Sequence, residues 1–225
     1  MRINTENKMQ IAAIIVAAGR GSRAGGDIPK QWQTLGKKRV IDHTIAKFTN
    51  HPLIARVIVV LNCDYIGCLE TSGIEKVLGG STRQASVLNA LLHLTRKPPD
   101  LVLIHDVARP TVPTHVIDNV IEALENNKAA APALAITDAL WTGVNGLVTA
   151  SQSRDGLYRA QTPQGFNFKM IMQAHKKAKN NFSDDVQVAL ASNIEVAIVR
   201  GSENNIKITM PEDFERVQKI IEETK

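Results

Sequence analysis

The feature that most constrains this chain is an apolar segment, residues 11–18, that runs directly into a glycine-rich loop ending at Lys30. The segment, IAAIIVAA, is too short for a useful helix, so it predicts a strand buried on both faces of a parallel sheet. Glycines in the loop let backbone N–H groups approach a ligand, and cations add positive charge. The loop therefore predicts a site for an anion such as a polyphosphate; its residues of interest are Gly19, Gly21, Gly25, Gly26, Arg20, Arg23 and Lys30.

Other interpretations of this loop compete with that one. A glycine-rich turn after a strand is often only a turn. The spacing Gly19-x-Gly21-x-x-Ala24 also fits a dinucleotide-binding fingerprint, but that motif needs a helix beginning within the glycines, and Pro29 with the glycines before it opposes one. A Walker A phosphate-binding loop is excluded, because no lysine here is followed by Ser or Thr at the required spacing.

Length and composition suit a single folded unit. With 225 residues, of which 44% are hydrophobic, the chain can form one α/β domain with a well-formed core. Residues 1–10 have neither an apolar core nor an arginine-rich amphipathic pattern, so we expect a short disordered lead-in there. We expect one domain over residues 11–225.

Charge and composition also argue against several classes of partner. The net charge of +5 suits an anionic ligand, but the basic residues are dispersed and only 4% of the residues are aromatic, so no nucleic-acid partner is predicted. The apolar runs are shorter than the roughly 18 residues that a membrane span needs, so no membrane association is predicted. Cys63 and Cys68 have no metal-like spacing with histidines, which favours reduced cysteines and a cytoplasmic location.

Apolar strands alternate with amphipathic helices over most of the chain. That alternation predicts a doubly wound, mostly parallel, Rossmann-like sheet. Residues 159–166, RAQTPQGF, are interpreted as the return of the chain to this sheet. Besides the first strand, the pattern predicts strands over 54–61, 77–80, 101–105, 129–136 and 195–200, and helices over 40–50, 81–95 capped by Ser81, 113–126, 169–179, 184–191 capped by Ser183, and 211–224.

The alternation of strands and helices is interrupted at residues 141–150, WTGVNGLVTA, where Asn145-Gly146 separates two β-favouring segments. This dipeptide is the strongest local signal for a β-hairpin. A lone hairpin is marginally stable in water, so we expect a protruding arm over about residues 137–155 that packs against another subunit. The alternative is a surface excursion that contacts nothing.

Polar residues that follow different strands are expected to meet, because ligands of open α/β sheets bind at the carboxyl ends of the strands. This rule gathers the loop at 19–31, residues 79–86, Asp106 with Arg109, and Lys207. Asp106 is suited to ligate a hard cation that bridges substrate phosphates, although a lone Asp at a strand end is also a common cap or turn residue. Arg23, Lys30 and Lys207 would neutralise charge on a transferring phosphoryl group.

Five separated motifs carry a family resemblance over nearly the whole chain. They are AAGRGSRAGGDIPKQ, GGSTRQASVLNAL, IHDVARP, YRAQTPQGF and NIKITMPED. In this order they resemble the 2-C-methyl-D-erythritol 4-phosphate cytidylyltransferases of the non-mevalonate isoprenoid pathway, which have a nucleotide-diphospho-sugar transferase-like fold. The form GRGSRAGGDIPKQW is similar to the cytidylyltransferase half of bifunctional enzymes that also carry a cyclodiphosphate synthase. Two alternatives stay open on the resemblance: a monofunctional protein, or one half of a bifunctional one with a fused or partner cyclodiphosphate synthase.

The resemblance also implies roles for individual residues. Arg23 and Lys30 would stabilise the transition state, Asp106 would hold Mg²⁺ beside the nucleotide, and Arg154 would bind the substrate phosphate from the neighbouring subunit of a homodimer. The catalytic set is Arg23, Lys30, Lys207 and Arg154; the nucleotide-binding set is Ala17, Ala18, Gly19, Gly21, Gly80, Ser86 and Asp106; the substrate-binding set is Arg109, Arg154, Thr162, Ser183 and Lys207.

Some residues depart from the family pattern. Ala85 replaces a common Asp, Ser81 a common acidic residue, and Ala139-Leu140-Trp141 the usual Thr-Ile-Lys. The last change removes a threonine hydroxyl from the arm. In the family that hydroxyl contacts the substrate phosphate, so Thr137 or Thr142 would have to make this contact instead.

The expected reaction transfers CMP from CTP to methylerythritol phosphate. Substrate phosphate is an adequate nucleophile, so neither a covalent intermediate nor His105 as a base is needed. Two alternatives remain open on the sequence: a ribitol 5-phosphate cytidylyltransferase, which differs in the alcohol pocket, and a catalytically silent nucleotide-binding module.

Overall fold

The structure is a computed structural model that describes residues 9–19 and 28–224. Gly21, Arg23 and most of the expected lead-in lie outside the described residues. The backbone N–H of Gln10 donates to Asp100 Oδ2 at 2.8 Å, and the Gln10 carbonyl accepts from the Asp100 N–H. No helix in the described part of the chain is both long and apolar enough to cross a bilayer.

Helices and strands alternate largely as the apolar pattern predicts. The helices are α1 (Val40–Thr49), α2 (Arg83–Leu94), α3 (Thr114–Asn126), α4 (Phe168–Lys177), α5 (Asp185–Leu190) and α6 (Glu212–Glu223). The strands are β1 (Ile11–Ala17), β2 (Thr34–Leu35), β3 (Lys38–Arg39), β4 (Ile54–Leu61), β5 (Glu75–Leu78), β6 (Leu101–Asp106), β7 (Ala129–Ala135), β8 (Leu140–Val144), β9 (Leu147–Gln152), β10 (Tyr158–Ala160), β11 (Gln164–Asn167) and β12 (Ala197–Arg200).

A central sheet of eight strands, counted over the described residues, organises the fold. Its order is β10-β7-β11-β6-β1-β4-β5, and β12 pairs with β7. Pairs β1/β4, β1/β6, β4/β5 and β12/β7 are parallel, whereas β11 runs antiparallel to both β6 and β7, and β10 antiparallel to β7. The predicted doubly wound, mostly parallel sheet is therefore confirmed.

Strands β10 and β11 were not predicted; they lie in the segment that was interpreted only as a return of the chain to the sheet. Pro163 and Gly165 made that segment a poor strand candidate. Gly165 is required by packing: a Cβ there would lie 2.6 Å from Val120 Cγ1 and 2.7 Å from Leu124 Cδ1. The strand therefore uses glycine because α3 lies directly against it.

Hydrophobic cores cover both faces of the sheet, which explains the unbroken apolar run of β1. Ile11, Ala13, Ile15 and Ala17 point into the core formed with α1 and α3. Ala12 and Ile14 point into the opposite core, formed with α2, α4 and α5. Since successive side chains of a strand face opposite sides, every position of β1 must be apolar.

Two predicted helix caps were wrong by one residue. Thr82, not Ser81, caps α2, because its Oγ1 accepts the Ala85 N–H at 3.0 Å. Asp184, not Ser183, caps α5, through a 3.0 Å bond from the Gln187 N–H to its Oδ1. In both cases the residue immediately before the helix places its oxygen on the third helical amide.

The predicted hairpin is present as β8 and β9, which form a two-stranded sheet separate from the central one. Asn145 and Gly146 have φ values of 50° and 79°, the positive pair that a tight hairpin turn requires. Large apolar side chains on this arm are exposed, notably Trp141 at 67% and Leu147 at 73%.

A small cluster beneath the last helix connects distant segments. Val217 of α6 packs with Ile208, with Leu35 of β2, and with Val40 at the start of α1. Residues 206–209 form no strand, and the Ile208 N–H donates to the Ala108 carbonyl at 2.8 Å. The cluster thereby holds the segment that carries Lys207 against the end of the central sheet.

Candidate active site

A cavity of about 510 Å³ opens at the carboxyl ends of β1 and β6 and beside the start of α2. This is the edge at which an open α/β sheet binds ligands. Eight of the described residues proposed for the site line it: Ala17, Ala18, Gly19, Lys30, Gly80, Ser86, Asp106 and Lys207.

Glycines after β5 allow two walls of the cavity to approach closely. A Cβ on Gly79 would lie 2.4 Å from Ala18 Cβ, and one on Gly80 would lie 2.5 Å from Ala85 Cβ. Ser86 Oγ accepts the Gly80 N–H at 3.0 Å and donates to the Thr82 carbonyl at 2.8 Å. The Ser86 hydroxyl thus shapes this loop, and its proton is already used within the protein.

Gln31, which was not predicted as a site residue, joins the two ends of the glycine-rich loop. It is 2% exposed, and its Nε2 donates to the Ala17 carbonyl at 2.9 Å and to the Gly19 carbonyl at 2.7 Å. Lys30, its neighbour in a 3₁₀ helix (Lys30–Trp32), extends Nζ to the Ile208 carbonyl at 2.6 Å. Gln31 therefore fixes the point from which Lys30 reaches the cavity.

Asp106, at the end of β6, contacts two cations. Lys207 Nζ lies 2.7 Å from its Oδ2, and Arg83 Nε lies 3.2 Å from its Oδ1. Burial alone would raise the pKa of Asp106, but the charges of Arg83 and Lys207 outweigh it and hold the pKa well below its ordinary value. Asp106 is therefore an ionised carboxylate on the cavity wall.

Behind Asp106 lies a second carboxylate, Asp185, which was not among the predicted site residues. Arg83 Nη1 donates to Asp185 Oδ2 at 2.7 Å, and His175 Nε2 lies 3.1 Å from Asp185 Oδ1. Burial lowers the pKa of Arg83, yet the Asp185 and Asp106 charges raise it overall. Because Asp185 and Asp184 sit side by side at a helix start, both resemble capping residues in the sequence.

Thr162 lies beneath the cavity wall and does not line the cavity. His105 Nε2 is 3.1 Å from the Arg109 carbonyl, which only accepts, so this nitrogen carries the proton. His105 Nδ1, 3.0 Å from Thr162 Oγ1, then accepts the hydroxyl proton, and Thr162 Oγ1 accepts the Asp106 N–H at 3.2 Å. Thr162, expected to bind substrate, is positioned to fix the backbone of Asp106.

His105 is unsuited to act as a base. It is fully buried, and burial lowers its pKa to about 4, against weaker opposing effects from its hydrogen bond to Arg109 and from the Asp106 charge. It is therefore neutral near pH 7, with both ring nitrogens engaged.

A second depression of about 240 Å³ adjoins the first, and Lys207 borders both. Its lining is rich in charge and includes Arg109, which is largely buried and donates to the Asn205 carbonyl at 2.7 Å. The charged residues that line it are Arg109, Arg159, Lys207, Arg216, Glu203 and Asp213. The structure thus places Arg109 in this depression and not in the nucleotide-sized cavity.

Two predicted site residues lie away from both depressions. Arg154 follows the arm, is exposed, and donates to the Thr137 carbonyl. Ser183 is exposed before α5, where its N–H donates to Gln187 Oε1 at 3.1 Å. Thr142, considered as a replacement hydroxyl on the arm, lies 3.0 Å from Thr149 Oγ1. Gly21 and Arg23 lie outside the described residues.

Among the described residues, no group of three or more His, Cys, Asp or Glu side chains is arranged to hold a metal ion. Asp106 is the one acidic residue among the described side chains that line the large cavity. A single carboxylate together with substrate phosphates is a usual environment for Mg²⁺. The residues present fit an ion that is held jointly with a bound triphosphate.

A doubly wound sheet with close-packed glycines and converging cations at its carboxyl edge is typical of α/β proteins that bind a phosphorylated ligand there, the nucleotidyltransferases among them. The profile of the family described as 2-C-methyl-D-erythritol 4-phosphate cytidylyltransferase matches residues 11–223. The chain belongs to this family.

Known proteins of this family are similar over the whole described fold. A 2-C-methyl-D-erythritol 4-phosphate cytidylyltransferase of Roseobacter denitrificans is 51% identical, over 95% of this chain and 97% of the relative. A bifunctional enzyme IspD/IspF of Rhodobacter capsulatus is 50% identical over 96% of this chain, which spans 57% of that relative. The 2-C-methyl-D-erythritol 4-phosphate cytidylyltransferase from Thermus thermophilus has a crystal structure that superposes on this fold with a TM-score of 0.80. The two sequences are 31% identical, and the match covers 95% of this chain and 100% of the Thermus chain.

Proposed function

We propose that this protein transfers CMP from CTP to 2-C-methyl-D-erythritol 4-phosphate, giving the diphosphocytidyl alcohol and pyrophosphate. A phosphate oxygen of the alcohol substrate attacks the α-phosphorus of CTP. The bond from that phosphorus to the oxygen between the α and β phosphates breaks, and that oxygen leaves with the pyrophosphate. The observation that carries the proposal is the position of Lys207, whose side chain borders both the large cavity and the cationic depression beside it.

Two adjoining depressions suit two phosphorylated substrates. The large cavity, with its glycine loops and Lys30, is of a size and charge for a nucleoside triphosphate. The smaller one, with Arg109, Arg159 and Arg216, suits the phosphate of the sugar alcohol. Lys207 would then contact the reacting phosphates at their junction and neutralise developing charge there.

Mg²⁺ is proposed as the cofactor, held by Asp106 together with the triphosphate. When bound, the ion would neutralise phosphate charge and align the triphosphate. Lys30 and Lys207 neutralise charge from the protein side, and Arg23 is proposed to do the same from the glycine-rich loop. These cations act by position and charge, because phosphate needs no protein base to attack phosphorus.

A homodimer formed through the β8–β9 arm is also proposed. Trp141, Leu147 and Val148 of the arm are more than 60% exposed, an unusual expanse of apolar surface for a two-stranded hairpin. Arg154 follows the arm and would bring its charge to the alcohol phosphate of the partner subunit. Cytoplasmic location and a fused or separate cyclodiphosphate synthase complete the proposal, the latter because similar chains occur in bifunctional relatives.

The reaction is tested by incubating the protein with CTP, Mg²⁺ and either methylerythritol phosphate or ribitol 5-phosphate, and by measuring pyrophosphate and product mass. We expect product with methylerythritol phosphate and at least ten times less with ribitol 5-phosphate. The reverse preference would assign the alternative alcohol. Binding of CTP without product from either phosphate would identify a silent nucleotide-binding module.

A further inference from the structure

Arg83, the first residue of α2, is held between two carboxylates at different depths. Its Nε lies 3.2 Å from Oδ1 of Asp106, which faces the large cavity. Its Nη1 lies 2.7 Å from Oδ2 of Asp185, whose side chain is 1% exposed. The guanidinium therefore connects a carboxylate of the candidate active site to one that no ligand in the cavity can contact.

Asp185 is itself held from two further directions. His175, also buried, donates from Nε2 to Asp185 Oδ1 at 3.1 Å, since a carboxylate only accepts. The Asp185 backbone N–H donates to Gln164 Oε1 at 3.1 Å. Asp185 thus has a fixed place and a fixed orientation, and both of its oxygens are engaged.

Stability alone is a weak explanation for this arrangement. Buried ion pairs are often no more stabilising than well-packed apolar residues of similar volume, because removing the charges from water is costly. A more specific consequence concerns Arg83. A guanidinium at the wall of a triphosphate-sized cavity would be drawn to phosphate, and a buried carboxylate that holds Nη1 prevents it from leaving Asp106.

We propose that Asp185 is a positioning residue that acts through Arg83. Arg83 binds Oδ1 of Asp106 and so holds this carboxylate in one orientation. In that orientation Oδ2 of Asp106 faces Lys207 and is placed for a cation bound to the triphosphate. Asp185 contacts no substrate, and His175 orients it in turn. The inference deepens the proposed function and rests on it, because the consequence of a misplaced Asp106 is a slower cytidylyl transfer.

A double-mutant cycle tests the proposal. Asp185→Asn keeps the size and one acceptor of the side chain but removes its charge, and Arg83→Gln removes the intermediary. Each single variant is expected to lower kcat at least tenfold, with a change of less than threefold in KM for methylerythritol phosphate. If Asp185 acts through Arg83, the double variant is no slower than the slower single variant. Effects that multiply in the double variant would overturn the proposal.

The chain offers a matched control. Glu75 on the edge strand β5 is likewise held by an arginine and a histidine, with Arg56 Nε at 2.7 Å and His93 Nε2 at 2.6 Å. Glu75→Gln removes a carboxylate that is paired with an arginine and a histidine, as Asp185 is, but at a position outside the cavity lining. The kcat of this variant should therefore stay within twofold of the parent. Equal losses in Glu75→Gln and Asp185→Asn would reduce Asp185 to a general structural role.

A readout independent of activity separates this inference from the proposed function. The Arg83 Nε–H cross-peak in a ¹⁵N–¹H spectrum is expected to shift or broaden in Asp185→Asn, and to stay unchanged in Glu75→Gln. An unmoved cross-peak overturns the positioning role even in an active enzyme. Absence of product in the parent protein contradicts the proposed function alone. If Asp185→Asn does not fold, Asp185→Glu, which keeps the charge at a different reach, provides the same two measurements.

Discussion

Lys30 and Ile208 are 178 positions apart in the chain, yet Lys30 Nζ donates to the Ile208 carbonyl at 2.6 Å. The contact places the cation that ends the glycine-rich loop beside the segment that carries Lys207. Two cations from opposite ends of the chain therefore border one cavity. This convergence makes separate tests of each cation informative.

Lys30→Met should lower turnover about 10²-fold or more, by analogy with the removal of a preorganised charge-stabilising donor. The fold should be retained, because the methionine keeps most of the aliphatic stem. Steady-state kinetics and circular dichroism check both expectations. Lys37→Met, an exposed lysine on the neighbouring turn, is the control and should leave turnover unchanged. Normal turnover in Lys30→Met would contradict its assignment.

Gly79→Ala should weaken CTP binding about tenfold and lower the free energy of unfolding by about 1–3 kcal/mol, because the new Cβ would overpack the junction with β1. That Cβ would lie 2.4 Å from Ala18 Cβ and 3.0 Å from Ser86 Oγ. Calorimetric titration and denaturant unfolding measure the two effects. Gly67→Ala is the control, since no atom lies within 4 Å of its added Cβ. Equal changes in CTP affinity and in unfolding free energy for Gly79→Ala and Gly67→Ala would show that the close approach of Gly79 to Ala18 has no effect on binding or stability.

His105 should make stability depend on pH in a defined window. Burial lowers its folded-state pKa from 6.5 to about 4, so the unfolded chain takes up a proton first as the pH falls. Its effect is absent above about pH 6.5, and it destabilises the fold progressively down to about pH 4, by roughly 3 kcal/mol at most. Urea unfolding across this range should show a weaker pH dependence for His105→Gln than for the parent.

The control for this measurement is His115→Gln, which changes an exposed histidine. It should follow the pH dependence of the parent protein. If His105→Gln and the parent lose stability in parallel between pH 6.5 and 4, the buried histidine is not responsible for that loss.

Leu147→Lys should convert a dimer to monomers, since it places a charge in the apolar surface of the arm, where Leu147 is 73% exposed. Sedimentation velocity checks the change in mass. Turnover should fall with it if Arg154 serves the partner subunit, whereas Lys179→Glu, in the exposed segment after α4, should change neither. A monomeric parent protein would refute the proposed role of the arm.

How far the sequence predicted the structure depended on whether the signal was local. The apolar run of β1 and the Asn145-Gly146 turn were recognised, because burial on both faces and a tight turn each restrict residue type directly. Strand β11 was missed, because the packing of α3 that makes Gly165 necessary is a long-range contact. A local sequence pattern predicts local geometry, whereas Gly165 by itself does not indicate which helix packs against the strand.

The same distinction applies to the candidate site. Strand ends and cations identified Asp106, Lys30 and Lys207, because one topological rule brings them together. Asp185 was overlooked, since two adjacent acids at the start of a helix resemble caps, and its pairing with Arg83 joins residues 102 positions apart. Thr162 was expected to bind substrate, and that role stays a prediction; its hydroxyl contacts His105 and the Asp106 backbone, which no local pattern reveals.

The small apolar cluster of Leu35, Val40, Ile208 and Val217 links helix α6 to the carboxyl edge of the sheet. Loosening that helix would release the carbonyl to which Lys30 donates and the backbone next to Lys207 before it disturbed the large cores. Damage near the C-terminal end should therefore reveal itself first as slow chemistry in a protein that still melts at almost its usual temperature.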